Sequence, residues 1–379
     1  MIYLDNNATT RVLDSVVEAM RPYWSDQFAN PASAGGEFAG VARAVSSAKA
    51  RLARRLGAAE PSQVITTSGA TEANNLALLG AARARPQRRH LIVSSIEHPS
   101  VLEPARYLES LGYRITWLPV SRLGVIDPTA VTAALSCDTL LVSVMLANNE
   151  TGVLQPVGKI ADEVKRHDSD VLVHTDATQA VGKVEFSLDG DLAAVDLLSL
   201  SAHKFHGPKG VGALFVRDAG TVAPLFFGGG QQGGLRPGTE NPAGLIGIVT
   251  ALEALSPERY SPVEQLRNSI EARVLAYWPG AFVLGAGAPR VPTTLAVALP
   301  GVRGSEVVDR LAAEGIAIST GSACAHGASK PSHVALAMGL SHEQAEGCIR
   351  ISLGVDSTPT EEAELLRLLA TVFNDLWRA

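Results

Sequence analysis

Val171-Leu-Val-His-Thr-Asp176-Ala-Thr-Gln179 and Asp196-Leu-Leu-Ser-Leu-Ser201-Ala-His203-Lys204 are built alike: a short, mostly apolar run that gives way to polar residues. A run of this length predicts a strand buried on both faces, because a half-exposed strand alternates apolar with polar. Outward from this pair the pattern repeats. Gln63–Thr67, His90–Ser95, Thr139–Met145, Asp170–Thr175 and Val195–Leu200 read as buried strands, with Ala213–Val216 a further one behind Gly210 and Gly212. Helix-like stretches, among them Gly40–Leu56, Thr71–Ala84 and Pro99–Leu111, lie between them. Such alternation predicts an α/β domain with a mostly parallel sheet covered by helices.

Past Pro257 the character changes. A helix over Ser261–Tyr277 leads to a strand near Thr294–Leu299 and a helix around Ser305–Glu314. Ile316–Ser319, a helix near Ser341–Gly347, the strand Cys348–Leu353 and a closing helix from Thr360 follow. This is the pattern of a smaller α+β domain. A chain of 379 residues also exceeds what one core usually serves. The expected division is a large domain over residues 14–257, with residues 1–13 and 258–379 forming the smaller one.

Composition narrows the function classes. Charged residues make up 18% against a usual fraction of about 25%, and the net charge is −6. Without a polybasic run or acidic tail, neither nucleic acid nor an anionic membrane is the expected partner. The apolar stretch Leu140–Ala147 falls far short of the roughly 18 residues of a membrane span. The N-terminus has no secretory pattern, so a cytoplasmic protein is expected. Three scattered cysteines, Cys137, Cys324 and Cys348, fit a reducing compartment and offer no four-cysteine metal site, so no metal is expected.

In open α/β sheets, ligands gather at the carboxyl ends of strands. Asp176 and Lys204 each stand just past a buried run, where an aspartate can meet a cationic ring nitrogen and a lysine can form a Schiff base. Pyridoxal 5'-phosphate (PLP) chemistry needs this pair. Either residue alone equally suits a helix cap or a solvated charge. Thr66-Thr-Ser68-Gly69-Ala70-Thr71-Glu72 joins a strand to a helix start, which suits a phosphate site or an ordinary N-cap. Cys324 lies among Gly321, Ser322 and Ala323, where a thiol serves as a mobile nucleophile or stays inert. Cys137 and Cys348, in or beside apolar segments, are expected in the core. Arg350 can fork onto a carboxylate or form a structural ion pair.

Together these motifs resemble the cysteine desulfurases of the class V aminotransferase group of PLP enzymes. The matching pieces run nearly end to end: Tyr3-Leu-Asp-Asn-Asn-Ala-Thr-Thr10, Thr67-Ser-Gly-Ala-Thr-Glu72, Asn148-Asn-Glu-Thr-Gly152, His174-Thr-Asp-Ala-Thr-Gln179, Ser201-Ala-His-Lys204, Gly207-Pro-Lys-Gly210, Arg236-Pro-Gly-Thr239, Gly321-Ser-Ala-Cys324, Pro331-Ser-His333 and Arg350-Ile-Ser-Leu-Gly354. The resemblance implies the aspartate-aminotransferase-like fold type I of PLP-dependent transferases, with a mostly parallel mixed sheet in its large domain.

It also implies roles. Lys204 is the Schiff-base lysine, Asp176 pairs with the pyridine nitrogen and Gln179 with the phenolic oxygen. His98 stacks on the ring and assists proton transfer, unless it only caps its helix. Ala70, Thr71, Ser201 and His203 hold the phosphate, joined by Thr239 from the other subunit of a homodimer. Asn149 and Arg350 bind the carboxylate of L-cysteine. Cys324 takes the substrate sulfur as a persulfide, alanine leaves, and a sulfur-acceptor protein such as an iron–sulfur scaffold follows.

Three departures stand out. Asn30-Pro-Ala-Ser-Ala-Gly-Gly36 ends in glycine where many relatives have histidine, and Gln232 and Pro237 replace a common Glu and Ser. The chain also stops soon after its last helix, without the extension some members use to dock a scaffold. The rival readings are another class V reaction with Cys324 incidental, and a non-catalytic assembly partner.

Overall fold

The computed structural model describes residues 1–321 and 331–377. The described residues form twelve strands: β1 (Ile2–Tyr3), β2 (Val64–Thr67), β3 (His90–Ser94), β4 (Arg114–Leu118), β5 (Thr139–Ser143), β6 (Leu172–Asp176), β7 (Leu197–Ser201), β8 (Gly212–Val216), β9 (Phe282–Val283), β10 (Thr294–Ala298), β11 (Ile316–Ala317) and β12 (Cys348–Ser352). Seven form one sheet in the order β2-β8-β7-β6-β5-β3-β4. Only β8 runs against its neighbours, so the other six point the same way and end at one edge.

The mostly apolar runs have a simple cause: successive residues serve two cores. Ile92, Val142, Val173, Leu198 and Phe215 join one buried cluster, while Leu91, Leu141, Leu172, Leu197 and Leu214 join another on the opposite face. The helices Val41–Leu56, Val157–His167 and Pro242–Ala254 cover the first face. Ala70–Ala84 and Pro99–Ser110 cover the second, burying Leu76, Ala77, Ala81, Val101 and Leu108. Both faces are buried, as a mostly parallel sheet requires.

Beyond Pro257, β12, β10 and β9 form an antiparallel sheet, backed by the helices Ser261–Tyr277, Gly304–Ala313 and Pro359–Trp377. The N-terminus joins this region: β1 pairs with β11, and Asp5 bridges to Ser352. Strand β4 has no counterpart in the sequence reading. It is an edge strand with a polar, partly exposed pattern, Arg-Ile-Thr-Trp-Leu, that breaks the apolar rule of its neighbours.

The cysteine expectation needs one correction. Cys348 is buried, its thiol pushed up to about 12 by burial and by Glu150. Cys137 is exposed. It falls in the turn before β5 and outside the apolar run that suggested a core position. Among the described residues no helix is long and apolar enough to cross a membrane.

Candidate active site

Because six strands end at one edge, the residues following them converge on a cavity of about 990 Å³. Ser68–Glu72 after β2, His98 after β3, Asn149 and Glu150 after β5, Asp176–Gln179 from β6, and Ser201, His203 and Lys204 from β7 all contribute to its wall. Arg350 of β12 and Asn7, Ala8 and Thr9 of the N-terminal segment close it. The volume suits a cofactor with a small substrate.

Lys204 Nζ donates to the carbonyls of Asn7 (2.7 Å) and Ala8 (2.8 Å). Asp176, 4% exposed, accepts from the Thr178 backbone N–H (2.9 Å) and the Asn74 amide (2.8 Å). Two residues back along the same strand, His174 is wedged between Ser143 Oγ (2.8 Å) and Ser199 Oγ (3.1 Å), and burial pushes it down to about 4. It stays neutral and holds β5, β6 and β7 in register behind Asp176.

The helix Ala70–Ala84 aims its first N–H groups at the cavity, with Gly69 as N-cap at φ 155°. A side chain at Gly69 would be strained there and would meet Ser201 Oγ. Thr71, Ser201 and His203 sit around this turn. The His203 ring lies 3.1 Å from Thr9 Oγ1, and burial, aided by Lys204 and Lys209, pushes it to about 4. His98 caps the helix Pro99–Ser110, its Nδ1 accepting from the Ser100 N–H at 3.1 Å. The capping role foreseen for it is therefore real, and the ring lines the cavity as well. Burial holds its pKa below the usual imidazole range, opposed by the Asp176 charge.

Arg350 is committed on two sides. Its Nη1 donates to the Asn149 carbonyl (3.0 Å) and its Nη2 to Asp5 Oδ1 (2.6 Å). Its Nε is buried without a partner. The structural ion pair and the cavity-facing guanidinium are thus features of the same residue. Glu150, buried beside it, takes a hydrogen bond from Ser332, and burial raises its carboxyl to about 7.

Thr239 lies apart, exposed and away from this cavity. Cys324 lies outside the described residues; Gly321 and Pro331, which flank its segment, both line the cavity. Sequence reasoning assigned no role to Asp5, Asn7, Asn74, Glu150 or Lys183. The conspicuous signal was the Asp-Asn-Asn run at 5–7, whose side chains reach Asn149, Thr294, Arg350 and Ser352, all more than a hundred residues away.

Two of the departing residues, Gly36 and Gln232, also find physical reasons. A Cβ on Gly36 would lie 1.9 Å from the Asn30 carbonyl oxygen, so this backbone admits only glycine. Gln232 holds the glycine-rich segment to edge strand β2 by accepting from the Thr66 N–H (2.5 Å) and donating to its carbonyl (2.9 Å). Arg236 pairs with Glu72 in the first turn of the phosphate-side helix.

The residues fit PLP. The donor-rich turn at Ala70, the carboxylate of Asp176, the lysine and two unpartnered buried wall atoms, Asn7 Oδ1 and Thr178 Oγ1, supply complementary groups for its phosphate, ring and polar substituents. This sheet and cavity define a PLP-dependent transferase of fold type I. More narrowly, the aminotransferase class-V family matches residues 2–366, and the chain belongs to it. It is 43% identical to a cysteine desulfurase from Cereibacter sphaeroides, covering 99% of this chain and 96% of that one. A solved NifS-like protein superposes with a TM-score of 0.91 at 37% identity, over 99% of both chains. A structure described as SspA in complex with cysteine gives 0.82 at 36% identity, over 93% of this chain and 99% of that one.

Proposed function

We propose that this chain is a PLP-dependent cysteine desulfurase, converting L-cysteine to L-alanine and passing the sulfur to Cys324. The observation that carries the reading is the convergence of Lys204 and Asp176 from neighbouring parallel strands onto one cavity. Desulfurase relatives at about 40% identity and the cysteine complex of a similar protein support the substrate.

When bound, PLP draws electrons from the substrate's α-carbon and so makes the adjoining groups reactive. The residues do the rest. Asp176, held by Asn74 and Thr178, keeps a proton on the ring nitrogen. Gln179 meets the phenolic oxygen and His98 covers the ring. Ala70, Thr71, Ser201 and His203 hold the phosphate, and Thr239 of a second subunit completes that site. Its exposure away from its own cavity favours a homodimer. Arg350 and Asn149 receive the substrate carboxylate, for which the Arg350 Nε still lacks a partner. Lys204 Nζ moves the proton at Cα. The Cys324 thiolate attacks the substrate sulfur: an S–S bond forms, the C–S bond breaks, and its electron pair takes a proton as alanine's methyl group.

In this reading the large domain is residues 14–257, and residues 1–13 with 258–379 form the smaller one, to which Arg350 and Cys324 belong in sequence. The persulfide then passes, in the cytoplasm, to an acceptor protein such as an iron–sulfur scaffold. Supplying PLP and cysteine and measuring alanine tests the reading. Alanine should form with wild type and fail to form with Lys204→Ala; equal release from both sinks it.

A further inference from the structure

Lys183 is buried to 4% exposure, yet it does not line the cavity. Among the described residues its hydrogen-bond partner is Gln179 Oε1, at 2.7 Å. The other end of that carboxamide, Nε2, donates to the Asn7 carbonyl at 3.0 Å, and the same carbonyl takes Lys204 Nζ at 2.7 Å. A chain of hydrogen bonds therefore runs from Lys183 through Gln179 and Asn7 to Lys204.

We propose that Lys183 is a positioning residue, fixing the Gln179 carboxamide so that its NH2 end, and not its oxygen, stands on the side of Asn7 and Lys204. The inference rests on the PLP reading above. An ammonium carries three donors and no acceptor, while a backbone carbonyl only accepts. Turning the carboxamide over would set NH2 against ammonium and oxygen against carbonyl, losing both bonds at once. A serine or a water behind Gln179 would tolerate either orientation, because each can donate and accept.

Volume alone does not explain a lysine here. A methionine or leucine would fill similar space without desolvating a charge. The cost is visible: burial, and then the charges of Lys204 and Arg350, push Lys183 down to about 7, so the ammonium and its lock are complete only below that pH. The oriented N–H is what a negatively charged oxygen on the cofactor ring requires, and a flipped carboxamide would oppose it with its own oxygen.

A double-mutant cycle read by PLP binding, followed through visible absorbance, tests this. The variants are Lys183→Met, Gln179→Leu and the two combined, compared with wild type. Lys183→Met should weaken PLP binding about tenfold in the wild-type background and shift the pH midpoint of the visible band. In the Gln179→Leu background it should change affinity less than about twofold. A loss of the same size in both backgrounds, or none in wild type, overturns the proposal. Where Lys183→Met does not fold, Lys183→Gln takes its place, because its carboxamide presents either end to Gln179 and releases the lock. Its loss must likewise vanish with Gln179→Leu, and an equal loss in both backgrounds counts against the proposal. A wild-type protein that takes up no PLP removes the cofactor reading itself, and this proposal with it.

Discussion

Arg350 reaches across from β12 to Asp5, just past β1, and closes a 2.6 Å ion pair at the wall of the cavity. The arginine side chain is 4% exposed and the aspartate 16%, so the pair is largely out of water. Removing one partner strands a buried charge. Asp5→Ala should therefore cost about 3 kcal/mol of folding stability, measured by urea unfolding. A loss below about 1 kcal/mol, the range of an exposed pair, would contradict this placement.

Glu150 gives the fold a pH dependence of definite sign. Its folded pKa, about 7, lies above the ordinary 4.5. The folded state therefore holds a proton that the unfolded chain releases, and stability falls as pH rises from about 4.5 through 7. The contribution is roughly 3 kcal/mol at most. Glu150→Gln can still accept the Ser332 hydrogen bond but cannot ionise. Urea midpoints at pH 5 and pH 8 should differ less in the variant than in wild type, and identical pH profiles would refute the assignment.

Gly36 has no room for a side chain, since the Asn30 carbonyl oxygen stands 1.9 Å from a Cβ placed there. Even Gly36→Ala must push the turn at Asn30 away from the helix Ala34–Phe38. A cost of about 1–3 kcal/mol is expected, with Gly36→His no better tolerated. Thermal melts of both variants check this, and an unchanged melting temperature would contradict it.

Gln232→Glu keeps the acceptor facing the Thr66 N–H but replaces the donor facing its carbonyl. A carboxylate against that carbonyl should loosen the glycine-rich segment by about 1–2 kcal/mol. Amide exchange at Thr66 and Gln232 is the measurement, and it should quicken in the variant alone.

Most of the large sheet was legible in the sequence because its strands bury both faces, which leaves stretches such as Leu91–Val93, Leu140–Val142 and Gly212–Val216 without a polar residue. The edge strand β4 carries no such run and was missed. Lys204, Asp176 and Thr71 were legible for a related reason: Asp176 ends one buried strand, Lys204 comes three residues after another, and Thr71 lies in the first turn of a helix. Arg350 was half legible. Its fork was anticipated, but its tie to Asp5 joins residues 345 apart in the chain, a contact no local pattern encodes. Lys183 was invisible for the same reason: only the fold shows that the lysine four residues after Gln179 is buried and points back at it.

The sulfur is proposed to pass to Cys324. The direct measurement is intact-protein mass after cysteine is added to PLP-loaded protein, read beside alanine release. Wild type should carry an added sulfur that a reductant removes, and Cys324→Ala should carry none and release alanine far more slowly. Alanine released as fast from Cys324→Ala as from wild type would contradict the account.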